Sequence, residues 1–181
     1  MHLIFCGRHH FRLYIYNVKT VLLIRHAKSS WTDISLNDFD RPLNDRGKKD
    51  APGMARRLVD KKIRIDSFVS SPAKRAKKTA IIFAKEFGID ESKIIYKSEL
   101  YSAPGEIFNE VIEKLDNDAD NVAIFSHNPG ITEFANSLTD VYADDMPTCS
   151  IFAIKSDAKK WKDFGESKKE FWFFDYPKSI G

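Results

Sequence analysis

Thr20-Val21-Leu22-Leu23-Ile24 (TVLLI), followed at once by Arg25-His26, sets the reading of this chain. A short, almost wholly apolar run rich in β-branched residues suits a strand buried on both faces. Such strands belong to parallel sheets covered by helices on either side, and the rest of the chain continues the alternation. Residues from about Asp45 to Lys61 place Ala51, Met54, Ala55, Leu58 and Val59 at helical spacing, with Pro52-Gly53 predicting a kink or an irregular start. Ile65 to Ser70 reads as a second strand. Ser71-Pro72 then resembles a helix cap with proline at the first helical position.

The helix behind it sets Ala76, Ala80, Phe83, Ala84 and Phe87 on one face and ends at Gly88. Lys93 to Tyr96 is a short third strand, and about Pro104 to Leu115 a further helix. Val122 to Phe125 is a fourth strand, with a short helix opened by Pro129. Ser150 to Lys155 and Phe171 to Phe174 read as late edge or antiparallel strands. The expected fold class is α/β, a three-layer α/β/α sandwich around a mostly parallel central sheet.

Composition narrows the function classes. The 181 residues carry 43% hydrophobic and 30% charged side chains and a net charge of +3, which fits one globular domain. Basic residues are interleaved with acidic ones, so no nucleic-acid interface is expected. No apolar run approaches the roughly 18 residues of a membrane span. The apolar stretch near the start is confined to Leu3–Phe5. A secretory signal needs about 7–15 such residues, so a cytoplasmic protein is expected. Cys6 and Cys149 are too few for a disulfide framework and read as small packing residues. Residues 1–17 fit no βαβ element and are expected to be an extension preceding a domain over 18–181. A natural start near Val18 would explain them.

Three signals fall at equivalent places. Arg25-His26 follows the first strand, His127 follows the fourth, and Arg75 lies in the first turn of the helix after the second. Ligands of open parallel sheets bind at the carboxyl ends of the strands, so these residues should converge. Two guanidiniums would grip phosphate oxygens, and helix N-termini would add partial positive charge. Of the two imidazoles, one could attack phosphorus while neutral and the other could donate to the phosphoryl oxygens. Neighbouring arginines should lower the nucleophile's pKa. Such a site needs no metal or other cofactor. Trp31 and Tyr101 could line its mouth, although aromatic packing is their more ordinary role.

The motifs themselves carry a resemblance. VLLIRHAKSSW, DFDRPLNDRGKKDA, SSPAKRAKKTA and FSHNPGI stand in order along the chain. Together they resemble the histidine phosphatase (phosphoglycerate mutase-like) superfamily, and their spacing resembles its SixA-like phosphohistidine phosphatase branch. The likeness runs from about Lys19 to the closing FFDYPK.

It implies that His26 is the nucleophile, with Arg25, Arg75 and His127 completing a phosphate pocket. It further implies phosphohistidine on a signalling protein, such as a histidine phosphotransfer domain, as the substrate. Ala27 stands where the broad superfamily has glycine. Glu99 is the only carboxylate near the position of the general acid in ester-cleaving relatives, and its flanks match them poorly. A phosphomonoesterase acting on a metabolite with Glu99 as acid, or a non-catalytic phosphate-binding module, is the alternative. Two further patterns, the C-x5-R spacing of Cys6 to Arg12 and the His9-His10 pair, lack the strand-to-helix context and the additional ligands that a site would require.

Overall fold

The computed structural model describes residues 18–179. The expected N-terminal extension, the Cys6–Arg12 spacing and His9-His10 lie outside the described residues. Strand β1 spans Lys19–Arg25, β2 Ser67–Ser70, β3 Ile95–Tyr96, β4 Asn121–Ser126, β5 Ile151–Ser156 and β6 Lys169–Asp175. Helices α1 (Asp45–Asp60), α2 (Lys74–Glu86), α3 (Gly105–Glu113) and α4 (Gly130–Leu138) alternate with the first strands. The sheet order is β3-β2-β4-β1-β5-β6. The first four strands in that order are parallel, whereas β5 pairs antiparallel with β1 and β6 antiparallel with β5.

The period-two geometry of a strand explains the two cores. In β1, Leu22 and Ile24 face one side and pack with Met54, Ala55 and Leu58 of α1 and Ala80, Phe83 and Ala84 of α2. Val21 and Leu23 face the other side, toward Phe108, Val111 and Ile112 of α3 and Ile131, Phe134 and Ala135 of α4. Each valine, leucine, isoleucine, phenylalanine or methionine among them, when fully buried, contributes about 1.5–3 kcal/mol. The strand is therefore apolar along its whole length because both faces are covered. This is the three-layer α/β/α arrangement that the alternation predicts.

Details of the helices differ from expectation. Helix α1 runs continuously from Asp45 to Asp60 through Pro52, with Asn44 capping it by accepting the Gly47 N–H at 2.9 Å. Helix α2 begins at Lys74, with Ala73 at its cap and no side-chain cap bond, so Ser71 is not its capping residue. Past its end, Gly88 takes the left-handed conformation (φ 69°), which glycine adopts without strain. The closing Asp175 accepts from Arg57 at 2.8 Å and Lys61 at 3.3 Å, tying β6 to α1.

Register brings distant residues together. Arg25 of β1 lies opposite Ser126 of β4, so His26 and His127 are the next residues on adjacent parallel strands. Ser70 of β2 pairs with Phe125, so Ser71 follows opposite Ser126, one residue before His127, within reach of its side chain. On the far side, the Cys149 N–H donates to the carbonyls of both Arg25 and His26, closing the end of β1.

Helix α4 can start this close to the site only because Gly130 has no side chain: a Cβ there would meet the Ala103 carbonyl oxygen at 1.8 Å. Gly130→Ala should cost about 2–3 kcal/mol, by overpacking against backbone. Thermal denaturation should show a drop of roughly 5–10 °C. An unchanged melting temperature would mean that the two segments separate freely.

Candidate active site

The structure brings Arg25, His26, Arg75 and His127 to the carboxyl edge of the sheet. His26, Arg75 and His127 are almost fully buried, at 7%, 6% and 5% exposure. The imidazole centroids lie 5.0 Å apart. His26 Nδ1 lies 2.8 Å from the Ala27 carbonyl, which can only accept, so Nδ1 carries the proton. In the neutral ring Nε2 then keeps its lone pair, and it accepts from Arg75 Nε at 3.1 Å. The Ala27 N–H in turn donates to Thr79 Oγ1 at 3.0 Å, and that hydroxyl donates to the Arg75 carbonyl at 2.7 Å. One threonine thus fixes the loop that holds the imidazole against the helix that holds the guanidinium.

His127 Nε2 meets Ser71 Oγ at 2.8 Å. Ser71 also accepts the Ala73 N–H at 3.3 Å, so its hydroxyl faces the site instead of capping α2. Two buried nitrogens, His127 Nδ1 and Arg25 Nε, find no hydrogen-bond partner among the described residues. Leaving a buried donor unpaired costs about 1–3 kcal/mol, and such groups in a functional cleft point to a ligand acceptor. The outer part of the Arg25 guanidinium is occupied: Nη1 donates to the Met146 carbonyl and to Asp145 at 3.1 Å.

Both imidazoles are held neutral. Burial is the main cause for His26, and Arg75, Arg25 and Arg41 add to it against the opposing Ala27 hydrogen bond, taking its pKa down to about 3. Burial again dominates for His127, followed by His26 and Arg75, taking it down to about 2. Arginine charge, expected to lower the nucleophile's pKa, is thus secondary to desolvation.

These shifts bear on stability. In the unfolded chain both rings protonate below pH ~6.5, whereas the folded protein keeps them neutral. Their contribution is therefore complete above about pH 6.5 and declines as pH falls toward the folded values. At pH 5 the loss should approach about 2 kcal/mol for each ring. Denaturant titrations at pH 7 and pH 5 check it, and replacing His127 with glutamine should shrink the difference.

Among the described residues, Glu99 has its carboxylate bonded by the neighbouring Ser98 hydroxyl and not by Arg25, His26, Arg75 or His127. It is exposed, on the 3-10 turn Ser98–Leu100. Hydrogen bonds from its own backbone N–H and from Ser98 hold its carboxyl below the usual range, the wrong direction for a general acid. The carboxylate that does reach the site is Asp38, which the sequence reading passed over. Its Oδ2 accepts from Arg75 Nη2 at 2.8 Å and from the Tyr101 hydroxyl at 3.1 Å, and its Oδ1 from Arg41 Nη1 at 2.7 Å.

Tyr101 therefore belongs to the site, its ring edge-on to His127 at 5.7 Å. Trp31 is exposed and stacks on the Arg41 guanidinium. The one available signal for Asp38 was its place in DFDRPL, three residues before Arg41. Among the described residues, no group of three or more His, Cys, Asp or Glu is placed to hold a metal ion, and no helix is long and apolar enough to cross a membrane.

Comparison with known proteins gives a consistent picture. Residues 21–101 match the histidine phosphatase superfamily (branch 1). An uncharacterised chloroplastic protein of Arabidopsis thaliana is 28% identical over 153 residues, covering 80% of this chain and 70% of that one. A crystal structure from Agrobacterium tumefaciens, of a protein assigned as the phosphohistidine phosphatase SixA, superposes with a TM-score of 0.74 at 26% identity. It covers 88% of this chain and 98% of its own. A structure of the protein histidine phosphatase SixA with tungstate shares the fold, with a TM-score of 0.73 at 20% identity over 87% of this chain and 97% of that one.

Proposed function

The chain belongs to the histidine phosphatase superfamily, and on that premise we propose that His26 takes the phosphoryl group from a phosphohistidine side chain of a signalling protein. The observation that carries the reading is an unprotonated imidazole nitrogen accompanied by buried, unpartnered nitrogens on the adjoining Arg25 and on His127, whose ring centroid lies 5.0 Å from that of His26. His26 Nε2 is unprotonated, and Arg25 Nε and His127 Nδ1 are buried without partners. A tetrahedral phosphoryl group suits this set, taking the lone pair of the first in place of the Arg75 Nε–H and offering oxygens to the other two.

In the first half-reaction His26 Nε2 attacks phosphorus in line, and the Nε2–P bond forms as the substrate's bond breaks. Arg25 and Arg75 offset the charge on the equatorial oxygens, a role best filled by the planar guanidinium fork. His127 donates from Nδ1 in the tautomer whose Nε2 accepts from the Ser71 hydroxyl. Water then attacks the phosphohistidine intermediate, and the electron pair of the broken bond returns to His26. Neutralisation by arginine leaves no step that calls for a metal.

The exposure of Glu99 and its lowered carboxyl pKa favour a leaving group that needs no strong acid. An imidazole departing from a P–N bond meets that condition better than an alkoxide does. A phosphohistidine protein such as a histidine phosphotransfer domain, in the cytoplasm, is the proposed setting.

A substrate panel tests the reading. p-Nitrophenyl phosphate, a phosphohistidine protein and sugar phosphates are assayed side by side, with phosphohistidine expected to give the highest kcat/KM. Faster turnover of sugar phosphates would favour a metabolite phosphatase. Phosphate binding without turnover of any of them would indicate a recognition module.

A further inference from the structure

Asp38 lies across the site at a place that gives it a task of its own. A single guanidinium links it to the nucleophile. Arg75 donates from Nε to His26 Nε2 at 3.1 Å, from Nη2 to Asp38 Oδ2 at 2.8 Å and from Nη1 to the Asp38 carbonyl. The His26 end of this chain is buried, while the Asp38 side chain is 49% exposed. The line from His26 through Arg75 to Asp38 therefore runs from the floor of the site to its mouth. In-line displacement puts the entering and leaving atoms on opposite sides of phosphorus. A group attacked from the floor departs at the mouth, where Asp38 and the Tyr101 hydroxyl stand.

We propose that Asp38 is a specificity-determining residue that selects phosphoryl donors whose leaving atom is a nitrogen of a protonated, cationic ring, and disfavours phosphate esters. The proposal rests on the reading of the chain as a His26 phosphatase.

The selection is electrostatic. A carboxylate at the mouth attracts a cationic ring and accepts its N–H, and it opposes the negative charge that grows on a departing alkoxide. Transfer from an N-phosphorylated imidazolium balances without moving a proton. The Nε2–P bond to His26 forms and the substrate's P–N bond breaks, with its electron pair staying on the substrate nitrogen. The ring keeps the proton on its other nitrogen and leaves as neutral imidazole.

An ester attacked in the same way must find a proton, and Asp38 has none to give. Although partial burial pushes its carboxyl up, the hydrogen bond and charge of Arg75, with Tyr101 and Arg41, hold it below the usual range. The groups facing it are Arg75 from α2, Arg41 from its own loop, Tyr101 from the turn before α3 and, behind Tyr101, the neutral His127.

The test measures kcat and kcat/KM for the wild type, Asp38→Asn and Asp38→Glu on phosphohistidine and on phenyl phosphate, from pH 5.5 to 9. Asp38→Asn should lower the ratio of kcat/KM for phosphohistidine to that for phenyl phosphate about tenfold. Its kcat for phosphohistidine should also fall away at lower pH than the wild type's, because the bound ring loses the carboxylate that favours its charged form. Asp38→Glu should restore part of the preference.

Equal losses on both substrates, or an unchanged ratio and pH limb, would overturn the proposal and leave the phosphatase reading intact. No turnover of either substrate by the wild type would overturn both. Circular dichroism verifies folding, and if Asp38→Asn fails it, Asp38→Ser is read against the same outcomes.

Discussion

Replacing His26 with alanine should lower kcat by roughly 10⁴-fold or more and abolish covalent labelling by a ³²P-phosphorylated substrate. The size of the effect follows from what Nε2 supplies. It forms the first bond to phosphorus, and the remaining cationic groups can bind phosphate but cannot accept a phosphoryl group. Acid-quenched labelling of wild type and His26→Ala makes the measurement, and equal labelling would move the nucleophile elsewhere.

A pH signature accompanies it. The pKa of His26, pulled down to about 3 by burial and neighbouring arginines, keeps the ring unprotonated throughout the neutral and mildly acidic range. The kcat/KM profile, corrected for ionisation of the substrate, should therefore stay level through pH 6.5, where an ordinary histidine nucleophile would already be losing activity. Because the folded value is depressed, protonation of the nucleophile cuts in only well below pH 5.

Arg75→Ala should carry the second largest loss, about 10³-fold in kcat/KM. Arg75 is buried against His26 and pairs with Asp38, so its removal takes away a donor to the phosphoryl oxygens. It also leaves the Asp38 carboxylate, which repels a phosphate dianion, without that partner. Arg75→Lys should recover little. Lysine offers a point charge where the site uses three nitrogens of one fork, Nε toward His26 and both Nη toward Asp38. Steady-state kinetics of the two variants measure this. A loss of under tenfold in Arg75→Ala, or full rescue by lysine, would place Arg75 outside the phosphoryl pocket.

The layout of the site was legible because strand patterning is local. TVLLI could be read as a strand covered on both faces without knowing what covers it. Once the alternation of strands and helices was recognised, Arg25, His26 and His127 had to lie at strand ends and Arg75 in a first helical turn. The misreading of Ser71-Pro72 has a local cause of another kind. Ser71-Pro72 carries the chemistry of a helix cap, yet α2 starts at Lys74 and the Ser71 hydroxyl turns to His127. The competing partner lies 56 residues away, where no local rule can see it. Glu99 drew notice by position along the chain, but a 3-10 turn leaves it in solvent.

By itself the sequence determined the layered fold, the edge of the sheet where chemistry gathers, and the four side chains that gather there. All of that follows from the periodicities of strand and helix and from the right-handed way that parallel strands are connected. Only the tertiary structure decided which imidazole nitrogen is bare, that burial more than arginine charge keeps both rings neutral, and that Asp38 stands at the mouth with Arg41 and Tyr101. Those features depend on side-chain contacts of about 3 Å, several of them, such as Arg75 with His26 and with Asp38, between groups far apart in the chain. They also depend on an irregular loop whose path has no period to read, so they come into being only when the sheet is assembled.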